Sequence, residues 1–189
     1  QNKNSMLNKF KSASKCNSGL GTEDGRGLTA LSCAFTGHRE IEEQHSKTLR
    51  MLTKQAVKSR YNEGVANFIS GMASGFDMLA AEVVLELREE CPGISLTAVV
   101  PFRGQDDRFS LSDKQRYSQI LEEADEVIVL SEHYNKKAFY YRNLWMVDHA
   151  DCVIAYFNGI HRGGTYFTSR IARERSMQVV NLYDLYQII

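Results

Sequence analysis

From Leu28 onward the chain repeats one unit: a short run rich in Val, Ile and Phe, then a longer stretch with apolar residues at helical spacing. The short runs fall at 31–35, 66–69, 95–100, 126–130, 152–157 and 178–182. Such runs are too short for helices and suit buried strands. Helices are expected over 42–61, where Leu49, Leu52, Ala56 and Tyr61 lie near helical spacing, and from Ser74, where Ala80, Val83, Val84 and Leu87 form a stripe ended by Cys91-Pro92-Gly93. Others are expected over 112–124, 139–149 and 166–176, with a short closing piece at 183–189. Ser74 with Asp77, and Ser112 with Gln115, fit the capping-box spacing. Alternating strands and helices build βαβ units. The expected fold is α/β: a mostly parallel sheet with helices on both faces, joined by right-handed crossovers. At 189 residues one domain is the default.

Three glycine-bearing turns follow strands: Thr36-Gly37-His38-Arg39, Ser70-Gly71-Met72-Ala73-Ser74-Gly75, and Asn158-Gly159-Ile160-His161-Arg162-Gly163-Gly164-Thr165. In a parallel sheet all three gather at the carboxyl edge, where ligands bind near the switch point of the strand order. Glycine lets backbone N–H groups approach an anion, and a helix N-terminus adds positive potential. The expected ligand set is Thr36, Gly37, His38, Arg39, Gly71, Ser74, Gly75, Asp77, Gly163, Gly164 and Thr165. Arg39 suits bidentate pairing with phosphate. Its bland alternative is a solvated turn with Arg39 on Glu40 or Glu42. Ser74 is equally read as a helix cap, and Asp77 as a carboxylate placed for the helix dipole. The second turn is neither a dinucleotide fingerprint nor a Walker loop.

Phe35-Thr36-Gly37-His38-Arg39, Ile69-Ser70-Gly71-Met72-Ala73-Ser74-Gly75-Phe76-Asp77 with Ala80-Ala81-Glu82, Val100-Pro101-Phe102, and Gly163-Gly164-Thr165 occur in that order over about residues 31–183. Together they resemble the YpsA-like branch of the SLOG superfamily, which takes its name from the Smf/DprA DNA-processing proteins and the Lonely Guy phosphoribohydrolases. The resemblance implies a Rossmann-like fold and a nucleotide or nucleotide-derived ligand, for instance one related to NAD or ADP-ribose, bound or sensed without a cofactor. It also implies two alternatives: hydrolysis of a nucleotide N-glycosidic bond, and single-stranded DNA binding as in the DprA-like relatives. Lonely Guy enzymes carry Pro-Gly-Gly-x-Gly-Thr followed by a catalytic Glu. Here Arg162 stands for the proline, the third glycine is missing, and Phe167 and Thr168 stand where the acid belongs. If the chain is an enzyme, Asp148 and Asp77 are the replacement carboxylates, since glycosidic cleavage needs one near the scission. Arg142-Asn143-Leu144-Trp145-Met146-Val147-Asp148 matches the helix that places an arginine at the substrate in that family, which makes Arg142 a ligand candidate. Arg108, in the loop after Pro101, is a candidate phosphate contact or an ordinary surface arginine.

Formal net charge is zero, from 23 basic and 23 acidic residues. That argues against a whole-molecule polyanion binder and leaves room for a local basic pocket, so nucleic acid ranks below a small nucleotide-like partner. No apolar stretch is long enough for a bilayer and no signal-peptide pattern occurs, so a cytoplasmic setting without membrane association is expected. The four cysteines form no CxxC pair and are expected as free thiols, and no metal site is expected. Residues 1–27, rich in Asn, Lys, Ser and Gly, read as a flexible arm ahead of a domain over 28–189. An apolar helix face left over from the core would suit a homo-oligomer.

Overall fold

The computed structural model describes residues 10–12 and 30–186. In chain order the elements are β1 (Phe10–Ser12), β2 (Leu31–Gly37), α1 (Glu43–Asn62), β3 (Val65–Ser70), α2 (Phe76–Glu86), β4 (Ser95–Val100), a 3-10 turn (Gln105–Arg108), α3 (Leu111–Glu123), β5 (Glu126–Val129), α4 (Ala138–Asp148), β6 (Cys152–Tyr156), α5 (Gly163–Glu174), β7 (Gln178–Asn181) and α6 (Leu182–Tyr186). The strands form one sheet in the order β1-β5-β4-β3-β2-β6-β7. Every pairing in it is parallel.

Side-chain alternation along each strand assigns the helices to faces. Cys33 and Phe35 of β2, Phe68 of β3, Leu96, Ala98 and Val100 of β4, and Ile154 and Tyr156 of β6 pack with α1, α2, α3 and Leu182. The intervening residues Ala34, Ile69, Val99, Val153 and Ala155 pack with Met146 of α4 and Ala172 of α5. Strands apolar on both sides are what a doubly covered parallel sheet requires. β2 is central. The chain adds β3, β4 and β5 to one side of it, then returns to add β6 and β7 on the other. The switch point therefore lies between the carboxyl ends of β2 and β6.

The six expected strands and the expected helices are present, with most helix starts shifted by a residue, and the sheet also takes in Phe10–Ser12, which the sequence reads as arm. Three starts change the capping. α2 begins at Phe76, with Gly75 at its N-cap position and no side-chain cap. The Ser74–Asp77 capping box does not form, because the Asp77 carboxylate instead accepts from the Ala73 amide at 3.4 Å. α3 is capped by Ser110, whose hydroxyl accepts from the Asp113 amide at 3.1 Å, so Ser112 sits inside the helix. α5 starts at Gly163, which draws the Gly-Gly pair into its first turn. Of the expected arm, residues 1–9 and 13–27 lie outside the described residues. Phe10–Ser12 is a strand beside β5. No helix among the described residues is long and apolar enough to cross a membrane.

Candidate functional site

The first two turns are packed onto each other. Gly75 lies so near the first turn that a Cβ there would sit 2.2 Å from the Arg39 carbonyl oxygen, and a Cβ on Gly37 would sit 2.4 Å from the Phe76 ring. Both glycines are needed for this close approach. The Phe76 amide donates to the His38 carbonyl at 3.1 Å and closes the join. Gly37 and Gly75 thus shape the site by packing.

Asp77 and Arg142 tie these turns to α4. Their side chains are both buried, with N–O at 3.4 Å. Burial pushes the Asp77 carboxyl up from its ordinary value, opposed by the Arg142 guanidinium and by the Ala73 and Gly37 amides. Burial likewise pulls the Arg142 guanidinium down, against the attraction of Asp77. Arg142 also donates to the Gly71 carbonyl. Gln105 donates to the Met72 carbonyl at 3.0 Å, and the Ser70 hydroxyl accepts from the Met72 amide at 3.2 Å. The second turn is therefore held by the protein's own side chains. Met72 itself takes a left-handed conformation, φ 57.

The third turn is different. α5 has no side-chain cap and no acidic residue in its first turn. Its first residues line a cleft of about 370 Å³ whose lining includes Thr36, Gly37, His38, Arg39, Asp77, Arg142, Asn143, Arg162, Gly163, Gly164 and Thr165. Arg142 Nε is buried with no partner among the described residues. Arg39 has no ion pair among the described residues and lies over the Phe139 ring, its Cζ 5.0 Å from the centroid. Uncapped amides and guanidinium groups converge here on one small volume, a favourable arrangement for an anion. Across the β2–β6 switch, the Asn158 amide donates to His38 Nε2 at 3.0 Å. That bond needs a neutral ring, and burial lowers the His38 pKa from its ordinary 6.5, partly opposed by a hydrogen bond to the Asn158 side chain.

Ser74 and Arg108 lie apart from this group, in a neighbouring cavity of about 460 Å³ walled by Phe102, Phe109, Tyr134 and Phe139. Arg39, Ala73 and Phe139 border both spaces. Gly71 lies beneath Arg142, where a Cβ would meet its guanidinium at 2.0 Å. Asp148 does not join the site. It ends α4, about 15 Å along the helix from Ala138, where it is half-exposed and paired with Arg175. Among the cleft-lining residues Asp77 is the only carboxylate. The sequence reading passed over Phe139. Its spacing from Arg142 and Asn143, three and four residues on, puts it on their face of α4 and was the available signal.

A doubly wound parallel sheet with a crevice at its switch point defines a Rossmann-like α/β protein. The chain belongs to the YspA SLOG family, whose model (YpsA) matches residues 33–188. A UPF0398 protein of Bacillus pumilus is 32% identical over 139 residues, 69% of this chain and 75% of the relative. The UPF0398 protein YpsA of Bacillus subtilis is 24% identical over 155 residues, 77% of this chain and 86% of the relative. Among solved structures, DNA processing protein A from Helicobacter pylori, described for its single-stranded DNA binding mode, superposes with TM-score 0.54 at 19% identity. The match covers 79% of this chain and 63% of that one. At that identity the likeness shows the fold.

Proposed function

We propose that the chain binds a nucleotide-like anion at the β2–β6 switch point. The phosphate lies on the first amides of α5, between Arg39 and Arg142, and the base enters the neighbouring aromatic cavity past Phe139. One observation carries this reading: the first turn of α5 lacks both a cap and a carboxylate, and it opens onto Arg142, whose Nε has no partner among the described residues. Phe102, Phe109, Tyr134 and Phe139 supply ring faces and edges for a base. Binding or sensing is favoured over glycosidic hydrolysis because the cleft's one carboxylate, Asp77, already holds two amides and a guanidinium. Titration calorimetry and thermal shift against AMP, ADP-ribose, NAD and cyclic ADP-ribose isomers test it. At least one should bind, and Arg39→Ala should weaken it about tenfold or more, as loss of a charge-assisted hydrogen bond does. No response to any member of the panel counts against the reading.

A second reading, single-stranded nucleic acid, has its own observation. Tyr134, which borders the aromatic cavity, and Tyr140 and Tyr141, next to Phe139 on α4, are exposed, and Tyr140 packs on Phe167 at 4.8 Å between centroids. Aromatic platforms of this kind stack successive bases. It predicts a mobility shift with a labelled oligonucleotide that disappears with added salt and in the double variant Tyr140→Ala, Tyr141→Ala.

A further inference from the structure

At the edge of the sheet opposite the cleft, two cysteines face each other. Cys33 of β2 is in direct register with Cys152 of β6. Both side chains lie on the same face of the sheet, among the α1–α2 core. Neighbouring parallel strands are about 4.8 Å apart, inside the Cα separation of about 4.4–6.8 Å that a disulfide spans. Their Cβ atoms, at roughly that same spacing, stand slightly farther apart than the usual 3.5–4.5 Å, so a bridge requires the strands to close and remains easily reduced.

The two thiols are not equivalent. Cys33 is fully buried, whereas Cys152 opens β6 and keeps 7% of its surface exposed. By geometry each thiol donates to a β2 carbonyl, Cys33 Sγ to Ala34 O at 3.8 Å and Cys152 Sγ to Ser32 O at 4.0 Å, and the neighbouring Cys33 thiol lowers the Cys152 pKa. Burial raises it, and the Arg60 guanidinium adds a further pull downward. Cys33 is raised by burial and by its contact with Cys152. This is the division of labour a dithiol oxidation needs: an attacking thiol with thiolate character at the edge, and a resolving thiol behind it.

We propose that Cys33 and Cys152 form a reversible cross-strand disulfide on exposure to a hydroperoxide. The Cys152 thiolate attacks the terminal peroxide oxygen. The O–O bond breaks, the alkoxide or hydroxide leaves and takes up a proton, and Cys152 becomes a sulfenic acid. Cys33 sulfur then attacks the Cys152 sulfur, and the hydroxyl leaves as water with the Cys33 proton. Two thiols and one hydroperoxide give one disulfide, one alcohol (water, from hydrogen peroxide) and one water.

Hydrogen peroxide is added to the folded, reduced protein, and the remaining thiols are blocked before tryptic mass mapping. The proposal expects two of the four thiols to be lost, one crosslinked peptide joining Cys33 to Cys152, and full recovery with dithiothreitol. In Cys33→Ala the resolving step is missing, so dimedone should label Cys152 roughly tenfold more than in the unaltered protein. The proposal is overturned if the crosslinked peptide is absent from the unaltered protein, whether its thiols survive or end as sulfinic acid. Equal dimedone labelling of Cys152 in the two proteins also overturns it. The map of the unaltered protein decides the matter even if the variant fails to fold.

Discussion

Gly75 and Gly163 share one backbone angle, φ 83, and hold it for different reasons. A Cβ on Gly75 collides with the backbone of Arg39, while a Cβ on Gly163 meets nothing within 4 Å. At Gly163 a positive φ alone costs an L-residue about 1–2 kcal/mol, while Gly75, with ψ −124, lies farther still from what an L-residue adopts. Gly163→Ala is expected to lose about that much stability. Gly75→Ala adds a clash with atoms that cannot swing aside and should lose about 3 kcal/mol or more. Urea denaturation of the two variants separates them, and equal losses would contradict the packing role given to Gly75. The sequence marks both residues as turn glycines and cannot say which backbone comes close to which. Asp77 shows the same limit. As a residue type it suits a helix N-terminus, but only the fold brings Arg142, 65 positions away, within reach of it. Arg142→Met leaves that carboxylate buried without its cation, which typically costs about 3–5 kcal/mol. Adding Asp77→Asn should return part of the loss. A thermodynamic cycle over the two single variants and the double variant measures the coupling, and strict additivity would show that the pair does not interact.

Strands and helices were legible as elements because their periodicities are strong, whereas their first residues were not. Ser110 and Ser112 are equally good caps by chemistry. The structure selects Ser110, and Phe109 beside it packs edge-on against Tyr117, with centroids 5.7 Å apart, fixing where the chain enters α3. The start of α5 was set too late because glycine is a poor helix former, so the Gly-Gly pair reads as loop. That late start matters for function, since the amides of Gly163, Gly164 and Thr165 are helix-terminal donors, not loop donors. A helix left uncapped at this point is less stable than it could be. Arg162 stands at its N-cap position. Arg162→Asp supplies both a cap and a dipole-matched charge, and should raise stability by about 1 kcal/mol. The same change brings a carboxylate to the anion site and should weaken any phosphate-bearing ligand by at least about tenfold. Thermal denaturation and calorimetry on one sample test both halves. A variant that gains stability and binds as before would remove the α5 terminus from the site.

At the scale of the whole molecule, alternating strands and helices dictated a parallel sheet covered on both faces, but not the order of its strands. The reversal at β2 comes from the crossover to β6, and no local pattern encodes it. A side-chain hydrogen bond spans the carboxyl ends of β2 and β6, from the Asn158 amide to His38 Nε2. It makes the join between the two halves of the sheet sensitive to pH. The groups around the His38 side of this join are Arg39, Glu40, Glu42, His45, Tyr156 and Tyr183. Neither Glu40 nor Glu42 makes an ion pair with His38 among the described residues, and burial is the leading influence on its ring. With the folded pKa below the unfolded 6.5, the unfolded chain takes up the proton first as pH falls. The His38 contribution is therefore intact above about pH 6.5 and declines as pH drops through the window between the unfolded and folded pKa values. His38→Gln keeps an acceptor for the Asn158 amide and removes the titration. Melting temperatures measured from about pH 7.5 down to about pH 5 should fall more steeply for the unaltered protein than for His38→Gln, with the two curves meeting near neutrality. Parallel curves would mean that His38 titrates alike in both states and does not couple the halves of the sheet to pH.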